Sequence, residues 1–497
     1  MNLLILALTG QISSVASVIP TPPTIPVRVF DATTFGAKAD SSTDNAAALQ
    51  KALDSVATAG GGVLTIPASS KPYLSGPIVL KSSTELHLDQ GAVLQMLPFG
   101  RYPQNTDSSY RPLVLASNAT DVAVTGKGTI EGDGSPWWSG FRAGTITKRP
   151  AVLVFNAVKR VLLQDFHLTN APNANTSFHY QVSDVTVRGI SITAPGTSPN
   201  TDGCDLEGTR FLFDRDSIQV GDDNIAISPN HDATSDIVIQ DCFFGTGHGL
   251  SVGSWCKMGI NGLTAVRDTF MGTTSGIRLK AGRDRGGMIR NLSYSDILMK
   301  DVQTPIYIAS YYPEHPPADS SLDTIAPVTA LTPLWHDITI SNLTSTSTLK
   351  GYSSVTIYAV PEAPVESLTL SNVHFTAPTA FSIQHSHDMV FRNVTYNGSS
   401  TSLFGTARDT TFLEAAKLVA RAPSEGRKLS MHGGVATLDW GASGESRFRE
   451  ILPDGTRRDL GHCTGTCRID WKPPTGVSWI QAQGPEGTWI RAIFSPN

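Results

Sequence analysis

Apolar and polar residues alternate with a period of two through much of the chain, in short runs built on one frame. Each run reads apolar, any, apolar, any, then Asp, Asn or a small residue, then an apolar pair around a polar residue. It occurs at Val161-Leu162-Leu163-Gln164-Asp165-Phe166, Val185-Thr186-Val187-Arg188-Gly189-Ile190 and Phe211-Leu212-Phe213-Asp214-Arg215-Asp216. Further copies begin at Ile237, Leu292, Ile338, Leu368 and Met389, and a looser one opens at Leu263. Strict alternation puts every second side chain on one face, so each run predicts a half-buried strand. Successive first residues lie 24, 26, 26, 26, 29, 46, 30 and 21 apart. Strands at that period, with no helical pattern between them, predict a parallel β-helix. A leucine-rich repeat lacks its Leu and Asn frame here, and a propeller needs a longer period. The interval of 46 implies an insertion of about 20 residues, the Pro-rich stretch from Tyr312 to Pro333, and a loop that long usually has a functional or capping reason.

The open end of such a solenoid exposes unpaired backbone and must be covered. Asp44 to Ala57 places Ala48, Leu49, Ala52, Leu53 and Val56 on one face at helical spacing. Ser42, Thr43 and Asp44 are good N-caps, Gly60-Gly61-Gly62 stops the helix, and Val63–Ile66 starts the first strand. This helix is expected to lid the first coil. After Phe404 the solenoid pattern fades. Thr411 to Ala422 suits a short helix, and Trp440, Trp471, Trp479 and Trp489 lie among Gly and Pro turns. That tail reads as a small antiparallel β module, whose Trp residues serve either as its core or as a sugar-stacking surface.

The expected organisation is a signal peptide over 1–17, a Pro-rich linker over 18–30, a parallel β-helix over 31–405 and a C-terminal β-rich module over 406–497. The run Leu3 to Leu8 is too short to span a bilayer. Ser14-Val15-Ala16 follows it as a small-x-small cleavage signal, although no Lys or Arg precedes Arg28. A secreted protein, extracellular or periplasmic, is therefore expected. With 40% hydrophobic residues, wholesale disorder is excluded. A net charge of −5 argues against a nucleic-acid binder or a basic membrane-surface protein. Five cysteines are too few for a disulfide-built scaffold, and none sits in a zinc-site spacing with His. Cys463 and Cys467 suit a tight bridge, and the odd count leaves at least one free thiol. No heptad or assembly surface is visible, so a monomer is expected.

Four polar motifs carry the candidate chemistry: Asn200-Thr201-Asp202, Gly221-Asp222-Asp223, Gly247-His248-Gly249 and Arg278-Leu279-Lys280. The steps from Asp202 to Asp222, His248 and Arg278 are 20, 26 and 30, about one coil each. Asp222 and His248 also share an offset, 11 residues after Phe211 and Ile237, so they should stack on neighbouring rungs about 4.8 Å apart. Such a stripe suits an extended polymer. Glycoside hydrolysis needs one protonated carboxyl for the leaving oxygen and one ionised carboxylate to activate water or attack. Crowded carboxylates cannot all ionise easily, which supplies the acid, and a neighbouring His tunes the proton. Arg278 and Lys280 alternate along a strand and so face the same way. From Lys257 to Arg290 there are seven cationic residues against two Asp, which implies an anionic substrate. Each motif alone is as well read as a turn or a solvated strand face, and the Asp cluster also as a calcium site. Their joint spacing is far more specific.

With these motifs the chain resembles the polygalacturonases of glycoside hydrolase family 28 over about residues 30–400. Phe35-Gly36-Ala37-Lys38-Ala39-Asp40, Pro77–Lys81, Gly128–Gly134 with Trp137-Trp138, and Arg283-Asp284-Arg285-Gly286-Gly287 add to the likeness. The resemblance implies a right-handed parallel β-helix and inverting hydrolysis of galacturonosyl bonds in pectic polysaccharide, with no cofactor and no metal. It implies Asp222 as general acid, Asp202 and Asp223 as bases, and His248 as support for the acid. It further implies Arg278, Lys280 and Tyr312 as substrate contacts, with Tyr311 the fallback, and Asn200 as orienting a catalytic Asp. The family often has Gln and Cys flanking the Asp pair, where this chain has Gly221 and Asn224. The usual local disulfide therefore cannot form, and Cys242 with Cys256 is the alternative pairing. Other readings are a hydrolase of rhamnogalacturonan or xylogalacturonan, a calcium-dependent pectate lyase, and a non-catalytic glycan-binding solenoid.

Overall fold

The computed structural model describes residues 19–318, 322–399 and 404–412, and seven strands between residues 428 and 495. The chain forms two compact units, Met1–His248 with Met258–Asp268, and Gly249–Lys257 with Thr269–Asn497. Each unit contains parallel strands stacked coil upon coil, the arrangement of an all-β, right-handed parallel β-helix. In the first unit Val161 pairs with Val185, Val185 with Phe211, Phe211 with Ile237 and Ile237 with Leu263. In the second, Leu292 pairs with Ile338 and Ile338 with Leu368, while Thr369 pairs with Val390. Every repeat copy therefore forms a rung, in the register that the sequence spacing predicts.

The frame has a physical cause at each position. Its first and third residues point inward: Val161, Leu163, Val185, Val187, Phe211, Phe213, Ile237 and Ile239 are buried in the first unit, and Leu292, Tyr294, Ile338, Ile340, Leu368 and Leu370 in the second. Each aliphatic or aromatic side chain so buried contributes about 1.5–3 kcal/mol. The fifth residue turns the chain with left-handed φ: 68° at Asp165, 63° at Gly189, 58° at Arg215, 56° at Asp241, 57° at Asp296 and 51° at Asn342. Asp, Asn and Gly tolerate that region best, which is why they recur there. In the second unit these residues also bond from rung to rung. Asn342 Nδ2 donates to Asp296 Oδ1 (2.9 Å), Asn372 Nδ2 to Asn342 Oδ1 (2.9 Å) and Asn393 Nδ2 to Asn372 Oδ1 (2.8 Å). In the first unit bidentate Arg–Asp pairs stitch rungs instead, Arg160 to Asp121, Arg210 to Asp184 and Arg267 to Asp241.

Several expectations need correction. The first strand is Val29–Asp31, which pairs with Gly62–Ile66 ahead of the helix in sequence. The helix spans Ala46–Thr58 and buries Leu49, Ala52, Leu53 and Val56; its N-cap is Asn45, without a side-chain cap bond. Asp44 serves nearby instead, accepting from Ala46 N and Gly76 N at 3.0 Å each. A second helix, Ser135–Arg142, carries the buried Trp137 and Trp138. The Pro-rich segment is not a free linker: Thr24 N donates to Asp121 Oδ1 (2.8 Å) and Thr21 N to Asp184 Oδ1 (3.2 Å). Phe404–Phe412 is a strand, so the short helix expected from Thr411 does not start there, and its remainder lies outside the described residues. The expected signal peptide also lies outside them.

The tail forms antiparallel sheets. Lys428–His432, Val435–Trp440 and Cys467–Trp471 make one, and Arg457–Thr464, Glu445–Ile451, Gly476–Gly484 and Gly487–Ser495 the other. The side chains of its four Trp and of Cys463 and Cys467 lie outside the described residues.

Two carboxyls sit inside the first unit at the turn. Asp216 Oδ1 accepts from Ile190 N (3.0 Å), and Asp268 Oδ1 from Cys242 N (2.8 Å). Burial pushes each carboxyl up to about 8, against the pull of the backbone N–H it accepts. The unfolded carboxyl titrates near about 4, so between about pH 4 and 8 the native state holds the extra proton and stability falls as pH rises. Asp216→Asn keeps the acceptor without the charge. Its melting temperature relative to wild type is expected to climb steadily from pH 5 to pH 8, and a flat difference would contradict the assignment. In the second unit, Asn372→Ala loses two ladder bonds and the tolerance for a φ of 56°. It should cost about 1–2 kcal/mol in urea unfolding, and Asn372→Gly less, because Gly keeps the turn.

Candidate active site

The first unit brings the acidic motifs together just before the strands Cys204–Leu206 and Ile225–Ile227. Asp222 and His248 occupy neighbouring rungs as their equal offset predicts: His248 N donates to Asp222 O at 2.9 Å. His248 Nδ1 lies 3.0 Å from Asp222 Oδ1 and 3.6 Å from Asp223 Oδ1. Asp223 is buried, whereas Asp222 and His248 keep about a fifth and a third of their side chains exposed, so the accessible carboxyl is that of Asp222. Asn200 Nδ2 reaches Asp222 Oδ2 at 3.4 Å, and Asp222 Oδ1 accepts from Asp223 N at 2.9 Å. Asp202 is placed through its backbone, with its carbonyl accepting from Asn175 N (2.8 Å) and Asn175 Nδ2 (3.0 Å).

Two residues that depart from the family's usual pattern have structural explanations. A Cβ at Gly221 would stand 2.0 Å from Ser198 O, so only glycine fits there. Asn224 is fully buried and donates through Nδ2 to Ile218 O (2.8 Å) and Thr246 O (3.1 Å). It ties its own rung to the next by hydrogen bonds. The alternative disulfide is not made: Cys242 and Cys256 are both free and buried.

Arg149 belongs to this site, and no sequence motif marks it. Its Nη1 donates to Pro172 O (2.7 Å) and Pro199 O (2.6 Å), and its Nη2 to Asn200 Oδ1 (2.7 Å). It also lies over the Phe141 ring at 4.0 Å. Burial lowers its pKa from the usual arginine value, a pull that the nearby Asp202 and Asp222 carboxylates oppose. Arg149 thus holds Asn200 from behind while Asn200 holds Asp222. The only available signal was an Arg between Lys148 and Pro150 at a strand entrance, too common a pattern to single out.

The second unit carries the cations. Arg278 and Lys280 lie on the strand Ser275–Lys280, where Arg278 is flanked in register by Ser251 and Tyr307, and Lys280 by Ala309. The Tyr312 ring faces both: Lys280 Nζ is 5.1 Å and Arg278 Cζ 5.8 Å from its centroid. Tyr311 is turned elsewhere, donating from its hydroxyl to Asp323 Oδ1 at 2.7 Å. Of the two tyrosines, Tyr312 is the one whose ring lies against the Arg-x-Lys pair. The insertion that begins there carries no strand among its described residues.

Asp222, Asp223 and His248 each bring one donor atom within 4.8 Å of the others. Calcium takes about six to eight oxygens, so two carboxylates and a ring nitrogen fit it poorly. The set suits proton transfer to and from a polar bond.

A family model described as glycosyl hydrolases family 28 matches residues 63–390. An endo-polygalacturonase of Pectobacterium carotovorum subsp. carotovorum is 30% identical over 380 residues, covering 70% of this chain and 88% of that protein. The solved polygalacturonase from Erwinia carotovora ssp. carotovora superposes with a TM-score of 0.61 at 26% identity, covering 76% of this chain and 98% of its own. A hyperthermoactive exopolygalacturonase from Thermotoga maritima has the same fold, with a TM-score of 0.66 at 23% identity over 77% and 94% of the two chains.

Removing Arg149 strands Asn200 and the carbonyls of Pro172 and Pro199, of which Pro172 is buried. Arg149→Met should cost about 2–3 kcal/mol in denaturant unfolding. Asp222→Asn should cost much less, since Asp222 is partly exposed.

Proposed function

The chain belongs to glycosyl hydrolase family 28, and we propose that it hydrolyses the α-1,4-galacturonosyl bonds of homogalacturonan by a single displacement. The observation that carries the mechanism is the Asp222–His248 stack, with Asp223 behind it and Asn200 at its side. Asp222 is the general acid and delivers its proton to the glycosidic oxygen as the bond to the anomeric carbon breaks. Asp202 and Asp223 accept the proton of the water that attacks that carbon from the opposite face. His248 Nδ1, 3.0 Å from Asp222 Oδ1, supports its protonated form. Asn200 orients the acid, and Arg149 orients Asn200.

Arg278 and Lys280 hold galacturonate carboxylates, Arg278 through its planar fork. Tyr312 limits how both cations are placed and presents its ring to the sugar. No step needs a cofactor or a metal. Secretion fits the expected leader and the polymeric substrate, and a monomer fits a solenoid with no heptads. Among the described residues no helix is long and apolar enough to cross a membrane.

One geometric point bears on stereochemistry. Asp222 and Asp223 approach within 4.8 Å, whereas the carboxyl pair of an inverting glycosidase typically stands roughly 6.5–9.5 Å apart. Inversion therefore rests on Asp202 sharing the base role.

Purified protein with polygalacturonate and a chelator should release reducing ends, with the new anomeric centre first seen by NMR as the β form. Asp222→Asn should lower kcat by about 10²–10⁴-fold. A first-formed α product would replace the single displacement by a covalent route. A UV-absorbing product that the chelator abolishes would mean a lyase. Activity on decorated pectins alone would move the substrate to rhamnogalacturonan or xylogalacturonan, and binding without cleavage would leave a glycan-binding solenoid. Product sizes over time separate endo from exo cutting.

A further inference from the structure

Beside the Arg278–Lys280 pair, within the second unit, stands another aromatic group bearing cations. Trp255 follows the strand Leu250–Val252, whose Ser251 pairs in register with Arg278. Two tethers fix its loop. At Gly253, where φ is 100°, a Cβ would stand 1.8 Å from Lys280 O, so the loop backbone lies directly against the backbone of Lys280. Cys256 N donates to Arg285 O at 2.7 Å. Trp255, held between these tethers, is 40% exposed, unusually open for a large indole.

Lys257 Nζ lies 4.6 Å and Arg285 Cζ 4.5 Å from the Trp255 ring centroid. Their charges are not equally compensated. Arg285 is bidentate with Asp284, both bonds 2.9 Å. Lys257 makes no ion pair within 4.0 Å among the described residues, although its charge reaches the Asp284 carboxylate that Arg285 holds. The result is an exposed ammonium, held in place by an indole and available to an anion. A cation pre-positioned on an aromatic face loses less side-chain freedom on binding than a free surface Lys. The arrangement parallels Tyr312, which also faces two cations.

Resting on the reading of this chain as a galacturonan hydrolase, we propose that Trp255 and Lys257, with Arg285 alongside, form a further uronate-binding position. It takes the carboxylate of a second galacturonate residue in the same chain, beyond the one held by Arg278 and Lys280. Lys257 supplies the charge. Trp255 fixes it and offers its open edge to the sugar. The site thereby favours long, de-esterified stretches over short oligomers.

The test uses the full chain and purified oligogalacturonates of two and five residues. Lys257→Gln and Trp255→Ala should each lower the ratio of kcat/KM on the pentamer to that on the dimer by about tenfold, as expected for one lost charge-assisted contact. On the methyl-esterified pentamer, Lys257→Gln and wild type should differ by less than about twofold, because the charge has no partner there. A ratio within twofold of wild type overturns the proposal, and so does an equal loss on both lengths, which marks a purely structural role. Should Trp255→Ala fail to fold, Lys257→Gln still decides, since it changes only an exposed head group. A wild type that cleaves neither oligomer nor polygalacturonate overturns the hydrolase reading itself. An active wild type with unaltered variants overturns only the second position.

Discussion

A coil can stack on its neighbour only if both turn at the same place, and here the turn that ends each frame strand carries a left-handed residue, as does a second position five residues earlier. The turn falls on Asp165, Gly189, Asp241, Asp296, Asn342, Asn372 and Asn393, and even on Arg215 and Arg267, where φ is 58° and 59°. Everything else follows from the register so imposed. Inward positions meet inward positions, so Phe211 sits over Val185 and Ile237 over Phe211. Outward polar groups also meet, giving an Asp/Asn ladder in one unit and Arg–Asp stitches in the other. A slip of one residue would reverse the faces of a whole strand.

The site uses the same register. Asp222 and His248 touch because they hold equal places on successive coils, and each is carried by backbone that other rungs brace. Asn175 grips the backbone of Asp202, and Asn224 bonds to Ile218 and Thr246. Gly221 is glycine because Ser198 leaves no room for a Cβ. These are supports for chemistry rather than chemistry, and they explain how the motif tolerates losing its usual flanking residues. A hydrogen-bonding amide can bind two carbonyls where a thiol would bind one sulfur, so rungs stay joined while Cys242 and Cys256 remain thiols.

Charge divides along the chain in the same economical way. Asp202, Asp222 and Asp223 lie in the first unit, and Arg278, Lys280 and Lys257 in the second. In the second unit aromatic rings, Tyr312 and Trp255, decide where the cations stand. Arg283 and Arg285 are already matched by Glu362 and Asp284.

The sequence by itself determined the solenoid and its register and brought the four polar motifs to notice, because a repeating period is local information. Apolar alternation, one Asp, Asn or Gly per turn and equal offsets for Asp222 and His248 are all visible without a third dimension. Contacts between residues far apart in the chain were not visible. Arg149 reaches Asn200 across 51 residues, and nothing around it in sequence announces that. Val29–Asp31 joins Gly62–Ile66 across a helix, and the N-terminal proline segment docks on Asp121 and Asp184. That the Tyr312 ring rather than the Tyr311 ring lies against Arg278 and Lys280 is likewise a matter of ring placement, which two adjacent identical residues cannot encode locally. Only the tertiary structure decided these, because each rests on where a side chain ends up once distant rungs have been packed, and no period along the chain records it.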